Sequence, residues 1–262
     1  MTHLHLFEFT DQPWYPQPFR RIQTDYLQFV TTRGAGHQNL IPLFKKALRQ
    51  SGTMEIVDLC SGGTGPWVRL WEQLQQAGLR VKVTLTDKFP SPDTIQKWSR
   101  ASHAGIEYLA TPVDAMSVPT RLKGMRTMFE GFHHFKPEQA RLILQDASEN
   151  GVVIGIFEAS LKLPQGPFIF ILSPLMTLLG YLFATPFIQP RTWTRFLWTY
   201  LLPFVPLATC WDGLVSFLRG YSQKELWGLV APLQRDGYKW EIGQVSTGTP
   251  LFVFTYLLGY PI

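Results

Sequence analysis

Glu55-Ile-Val-Asp-Leu-Cys-Ser-Gly-Gly-Thr-Gly65 runs from an apolar segment through an acidic residue into a cluster of glycines. Ile56, Val57 and Leu59 form an apolar run of the kind buried on both faces of a parallel sheet. Gly62, Gly63 and Gly65 follow it at once, and glycines permit a turn in which the backbone approaches a ligand closely. From Trp67 to Gln76 the residues Val68, Leu70, Trp71 and Leu74 recur at helical spacing. Strand, glycine turn and helix in that order present backbone N–H groups and a helix N-terminus to a nucleotide-like ligand. Many tight turns use glycine for steric reasons alone, so the flanking sequence must decide.

Val81 to Thr86 reads as a second strand ending at Asp87, a little over twenty residues past Gly65. An acid at that position is placed to accept hydrogen bonds from the two hydroxyls of a ribose. The competing reading of Asp87 is a solvated strand end, and its spacing from the glycine turn favours the ribose.

The run Asp58-Leu-Cys-Ser-Gly-Gly-Thr-Gly65, then Thr86-Asp87, then Val113-Asp114-Ala115 resembles the first three motifs of class I S-adenosylmethionine (SAM)-dependent methyltransferases. The resemblance continues through Met128-Phe-Glu-Gly-Phe-His-His-Phe135 and Val152-Val-Ile-Gly-Ile-Phe-Glu158, covering residues 50–160. It departs from the family's Asp/Glu-x-Gly-x-Gly-x-Gly turn, because Cys60 stands at the first glycine position and the spacing is one residue longer. The resemblance implies an α/β, Rossmann-like seven-stranded sheet that binds SAM and releases S-adenosylhomocysteine. By the same resemblance the cofactor-binding residues are Asp58, Cys60, Gly62, Gly63, Gly65, Asp87, Lys88, Asp114, Ala115 and Glu130. Asp114 would face the adenine amino group, with Ala115 against the ring; a surface turn is the alternative for Asp114. N-terminal helices close over the site in this family, which makes Tyr15, Asp25 and Tyr26 lid candidates, Tyr26 toward the cofactor and Tyr15 toward the acceptor. For Tyr26, ordinary helix packing is the equal alternative.

Composition sets the outer bounds. The chain has 262 residues, 45% hydrophobic and 16% charged, with 24 Lys+Arg against 19 Asp+Glu. That length suits one α/β domain with a large insertion. The mild basic excess comes without any Lys/Arg run, so nucleic acid is not an expected partner, while an anionic membrane is compatible with it. The two cysteines, Cys60 and Cys210, suggest neither a disulfide framework nor a zinc site. The first residues lack a basic region followed by an apolar run, which makes a cytoplasmic setting the default expectation.

Helices are expected over Phe19–Thr31, Asn39–Gln50, Thr94–Ala101 (capped by Ser91 or Asp93), Pro137–Asn150 and from Ser222 to Gln234. Further strands are expected over Ile106–Ala110, Arg126–Phe132, Gly151–Phe157, Lys239–Val245 and Pro250–Leu258. The fourth strand would deliver His133 and His134 to the reaction centre. Neutral imidazole accepts a proton near pH 7, so either is a candidate general base; helix capping and packing are the alternatives. Adjacent residues of a strand point apart, so no metal site is expected at the pair. Glu158 stands at the end of the fifth strand, which also faces the site.

Between that strand and the last helix lies an insertion. Leu163 to Pro190 and Phe196 to Trp211 contain no charged side chain, and Pro174, Gly180, Pro186, Pro203 and Pro206 interrupt them. A single membrane crossing would put the end of the sheet on the far side, so the insertion must return to the side it left. Three readings stand open: an in-plane or re-entrant hairpin on a membrane, a cap over a hydrophobic acceptor, or a homodimer interface through 163–211. Asp212 and Arg219, where the chain turns polar again, either orient the acceptor or support each other. The expected organisation is lid helices over 1–50, a SAM-binding core over 51–160, the hydrophobic insertion over 161–221, and a helix with two strands over 222–262. The expected activity is methyl transfer to a small hydrophobic or lipid-like acceptor, in the cytoplasm or peripheral to the inner face of the membrane. The alternatives are a SAM-binding cyclase or isomerase and a membrane-recruited SAM-binding module without catalysis.

Overall fold

The computed structural model describes residues 5–33, 36–63, 65–90, 92–100, 105–161, 169–250 and 252–262. The chain divides into two compact units: residues 35–160 with 221–262, and residues 1–34 with 161–220. The first fifty residues are thus shared between the units. The second expected helix joins the sheet, and the first joins the insertion.

The larger unit is built on a seven-stranded sheet. Its strands are β1 (Glu55–Asp58), β2 (Lys82–Leu85), β3 (Ile106–Tyr108), β4 (Met125–Phe129), β5 (Ile154–Leu161), β6 (Tyr238–Ser246) and β7 (Phe252–Pro261). They lie in the order β3-β2-β1-β4-β5-β7-β6. β1 pairs in parallel with β2 and β4, and β6 with β7 form an antiparallel hairpin. Side chains alternate across the sheet, so neighbouring residues enter different cores. Ile56, Phe129 and Phe157 pack with Phe44, Leu48, Trp67, Leu70 and Leu74 of α2 (Ile41–Ser51) and α3 (Trp67–Gln76). Val57, Met128 and Ile156 pack on the other face with Ile143, Leu144, Leu226 and Leu229 of α5 (Pro137–Glu149) and α9 (Gln223–Val230). The remaining helix of this unit, α4 (Pro92–Arg100), follows β2. Ser222 caps α9 through a reciprocal pair with Glu225. Ser91 and the side chain of Asp93 lie outside the described residues, as do Lys162 and residues 163–168.

Several strand ends differ from the sequence expectation by a few residues, and the C-terminal ends of β4 and β5 bear on the site. β4 stops at Phe129, because Glu130 adopts φ +50 and the chain turns into a 3-10 turn over Phe132–His134. β5 runs on to Leu161, which puts Glu158 inside the strand rather than at its tip.

The smaller unit is helical: α1 (Gln17–Arg33), α6 (Ile169–Ala184), α7 (Trp193–Phe196), a π-helical turn over Leu197–Leu201, and α8 (Phe204–Arg219). Ile22, Tyr26, Tyr181, Ile188 and Val205 form its core. Gly180 brings α6 against α1, since a Cβ there would stand 2.7 Å from the Tyr26 hydroxyl. Tyr26 stacks on Tyr181 with 4.0 Å between ring centroids, and the Tyr181 hydroxyl donates to the Ile22 carbonyl at 3.2 Å. Among the described residues no single helix is long and apolar enough to cross a membrane. The pair Trp193–Leu201 and Phe204–Arg219 reaches that length only together, with a 72° bend between them.

Candidate functional site

The strand order reverses between β1 and β4, and in open α/β sheets the ligand crevice opens at the carboxyl ends beside such a reversal. The glycine turn leaves β1 at that end. Gly62 and Gly65 have φ +49 and +53, and a Cβ on either would meet nothing within 4 Å. Glycine is needed here for backbone conformation and not for room. Cys60 adopts φ +57 in the same turn, at the position where the related motif carries glycine. Burial pushes its thiol well above the ordinary cysteine range, aided by the carboxylates of Asp87 and Asp58, which disfavours the thiolate.

Asp58 braces the turn from beneath. Its carboxyl is buried and accepts from the hydroxyls of Ser61 at 2.6 Å and Thr127 at 2.7 Å. Burial pushes its pKa up to about 7 against the pull of those hydroxyls. Both oxygens are therefore committed to linking β1, the turn and β4. Asp87 closes the turn from the side, accepting from Gly62 N–H at 2.9 Å and Phe89 N–H at 2.8 Å. Each oxygen keeps a further lone-pair position, enough for a vicinal diol. Lys88 and Asp114 form an ion pair at 2.7 Å, and Asp114 also accepts from Met116 N–H at 3.0 Å. Against a burial cost, these two partners hold the Asp114 carboxyl below the usual carboxylate range. Ala115 beside it is buried. The Tyr108 hydroxyl, at the end of β3, donates to the Gly62 carbonyl at 3.2 Å. Sequence reasoning passed over Tyr108; its aromatic ring at a strand tip one strand away from Asp87 was the available signal.

The second half of the site is the segment after β4. A Cβ on Gly131 would stand 3.3 Å from the Cys60 Cβ, so this segment passes directly against the glycine turn. His133 Nδ1 lies 2.6 Å from Glu158 Oε2, and Glu158 Oε1 accepts from Phe132 N–H at 2.7 Å. Burial alone would raise Glu158; His133 outweighs it, joined by Phe132 N–H, and the carboxyl is held below its ordinary range. Glu130 accepts from Ala159 N–H at 2.7 Å and is raised well above that range by burial and by the Glu158 charge. The two carboxyls are pushed in opposite directions, which favours negative charge on Glu158 over Glu130. The rings of His133 and His134 lie 4.4 Å apart, contrary to the expectation that they point away from each other. The reason is the 3-10 turn, which replaces the extended backbone expected there.

The other predicted residues belong to the helical unit, where their polar atoms are used internally. The Tyr15 hydroxyl donates to Gln23 at 3.0 Å, and burial with the Asp212 charge pushes it up to about 12. Tyr26 reaches the Thr177 carbonyl at 3.4 Å, and burial pushes it likewise to about 12. Asp25 pairs with Arg195. Asp212 accepts from Phe9 N–H at 2.7 Å, Thr10 N–H at 3.2 Å and Gln23 at 2.8 Å. Arg219 donates to the Leu6 carbonyl at 2.7 Å, Glu8 at 3.1 Å and Asp11 at 2.8 Å. Seven residues apart on α8, Asp212 and Arg219 each clamp the N-terminal segment. A cavity of about 580 Å³ lies elsewhere, lined by Glu55, Lys82, Gly105 and Lys123 at the amino ends of the strands. It is at the wrong end of the sheet to belong to this site.

No protein-family model matches the sequence, and no curated protein matches it. Among solved structures, the LepI–SAM complex superposes with a TM-score of 0.50 at 16% identity, over 84% of this chain and 46% of that one. Human N-acetylserotonin methyltransferase in complex with SAM gives 0.46 at 12% identity, over 86% and 51%. The O-methyltransferase NcsB1 of neocarzinostatin biosynthesis, in complex with SAM and a naphthoic acid, gives 0.45 at 11%, over 81% and 50%. This chain spans about half the length of those proteins. The likeness and the strand order together show the Rossmann-like, seven-stranded fold of class I methyltransferases.

Proposed function

We propose that the chain is a SAM-dependent methyltransferase acting on a small hydrophobic acceptor with an ionisable O–H or N–H. The observation that carries this reading is the His133–Glu158 pair set against the glycine turn at the strand-order reversal. The residues present fit the cofactor. Asp87 offers a carboxylate with lone pairs to spare for a ribose, Asp114 lies one strand further out, and the turn leaves open space above Gly62 and Gly65. SAM, when bound, supplies an electrophilic methyl group on a sulfonium.

The chain's own residues would then act on the acceptor. His133 Nδ1–H donates to the ionised Glu158, which fixes the tautomer that carries its lone pair on Nε2. Nε2 would take the proton that the acceptor O–H or N–H gives up as it is methylated. Glu158 stabilises the imidazolium that results, the arrangement general base catalysis requires. The uncharged stretches of the insertion favour an apolar acceptor over a charged one.

The test is direct. Calorimetry should show SAM and S-adenosylhomocysteine binding, weakened by about 1–3 kcal/mol in Asp87→Ala, the loss of charged hydrogen bonds. Mass spectrometry of reactions with hydroxylated apolar acceptors should show S-adenosylhomocysteine formed by the wild type and lost in His133→Ala. Cofactor binding without any S-adenosylhomocysteine would move the chain to the SAM-binding cyclases or isomerases. Absence of binding at millimolar ligand would end the reading altogether.

A further inference from the structure

Among the described residues α6 packs through one side, and near its C-terminal end the Leu182 carbonyl also accepts from the Tyr200 hydroxyl at 2.6 Å. Pro174 accepts from the Cys210 thiol of α8 at 3.2 Å, Thr177 and Gly180 meet Tyr26 of α1, and Tyr181 is fully buried between them. At 100° per residue the opposite side carries Ile171, Leu175, Leu179 and Phe183. Those four are 70, 49, 45 and 73% exposed. Single exposed apolar residues are ordinary, but four in register along a 16-residue helix are not. Exposed apolar side chains continue past the helix at Phe187 and Trp193.

The charge pattern selects the occupant. Between Glu158 and Asp212 there is no acidic residue, and the cations of that stretch are Lys162, Arg191 and Arg195. Arg195 turns inward to Asp25 and to the carbonyls of Ile188 and Pro190. Arg191 remains exposed, two residues before the indole of Trp193. An apolar stripe flanked by a cation and an interfacial aromatic, without any anion, complements a negatively charged lipid surface. A protein partner of fixed register would find almost no polar group along the stripe to pair with. At 16 residues α6 is about 24 Å long, so it would lie in the plane of the surface, sinking its apolar side by roughly 5–10 Å.

We infer that the α6 stripe docks the protein on an anionic lipid bilayer. This rests on the proposed function only in placing an enzyme for apolar acceptors where such molecules concentrate. Its test does not use turnover, so the two readings fail separately. The full-length protein is mixed with vesicles of phosphatidylcholine, with and without phosphatidylglycerol, and floated on a density gradient. Wild type should float with the anionic vesicles. The triple variant Leu175→Asp, Leu179→Asp, Phe183→Asp should partition at least about a hundredfold less, since three apolar side chains are lost and three negative charges gained. Arg191→Glu should lose about fivefold or more on anionic vesicles and little on neutral ones. Circular dichroism and thermal unfolding report that the variants remain folded. Wild type that stays below all vesicles, or a triple variant that floats as well as wild type, overturns the inference. A dimer in solution that the triple variant dissolves would assign the stripe to a second copy and overturn it equally.

Discussion

The substitution Asp58→Asn should remove a specific pH dependence from the stability of the sheet unit. Asp58 is wholly buried, and its pKa is pushed up to about 7 by that burial. In the unfolded chain the same carboxyl titrates near its ordinary value of about 4. Between those two values the folded protein holds a proton that the unfolded chain has released. Stability therefore falls as pH rises across that window, by about 1.4 kcal/mol per pH unit. The contribution is fully present below pH ~4 and lost by pH ~7, some 4 kcal/mol as an upper bound. An asparagine in its place is neutral in both states, so the variant lacks the slope. The substituted amide can still meet both hydroxyls: its oxygen accepts from one of Ser61 and Thr127 as before, and its NH2 donates to the other, which rotates to accept.

The assay is urea unfolding of both proteins at several pH values, with the difference in unfolding free energy plotted against pH. Groups such as Asp114 and Glu158, held low, respond in the opposite sense, but they are common to both proteins and cancel in the difference. The wild-type advantage should shrink by about 2–4 kcal/mol from pH 4 to 7.5. A difference independent of pH would mean that Asp58 is ionised in the folded state throughout. The hydroxyls of Ser61 and Thr127 would then outweigh burial, refuting the reasoning.

Two further outcomes follow from the site. Glu158→Gln presents an amide to His133 Nδ1 and Phe132 N–H, which removes the charge that stabilises an imidazolium and favours the wrong tautomer; turnover should fall by about 10²-fold or more, while S-adenosylhomocysteine affinity by calorimetry stays within about threefold. At Cys60 (φ +57) a side chain costs about 1–2 kcal/mol, whereas glycine loses about 0.5–1 kcal/mol to chain entropy; Cys60→Gly should leave the unfolding free energy within about 1 kcal/mol of wild type, and Cys60→Val should lower it by about 2 kcal/mol or more.

What was legible in the sequence was whatever local pattern encodes. β1 and the first helix after it, Trp67–Gln76, follow from an apolar run and a helical period, and the glycine turn from residues that tolerate positive φ. The stop of β4 was not legible, because Met128-Phe-Glu-Gly-Phe reads as a continuous strand while Glu130 is a non-glycine residue at positive φ. The pairing of α1 with α6 was equally hidden, since residues some 150 apart meet through Tyr26 and the gap at Gly180. Asp212 and Arg219 carry no sign in sequence that their partners are Phe9, Thr10, Glu8 and Asp11.

The chemistry of the site hangs on the same unreadable turn. Because Glu130 leaves the strand direction, its carboxyl comes to share one buried region with Glu158, and two carboxylates there cannot both ionise cheaply. His133 decides which one does, by lying 2.6 Å from Glu158 and favouring its charge. Burial and the Glu158 charge push the Glu130 carboxyl up while His133 holds Glu158 down, so negative charge beside the glycine turn is favoured on the member that contacts the imidazole. A strand continued to Phe132, as the sequence pattern suggests, would extend the backbone through Glu130 and remove the turn that seats His133 on its partner.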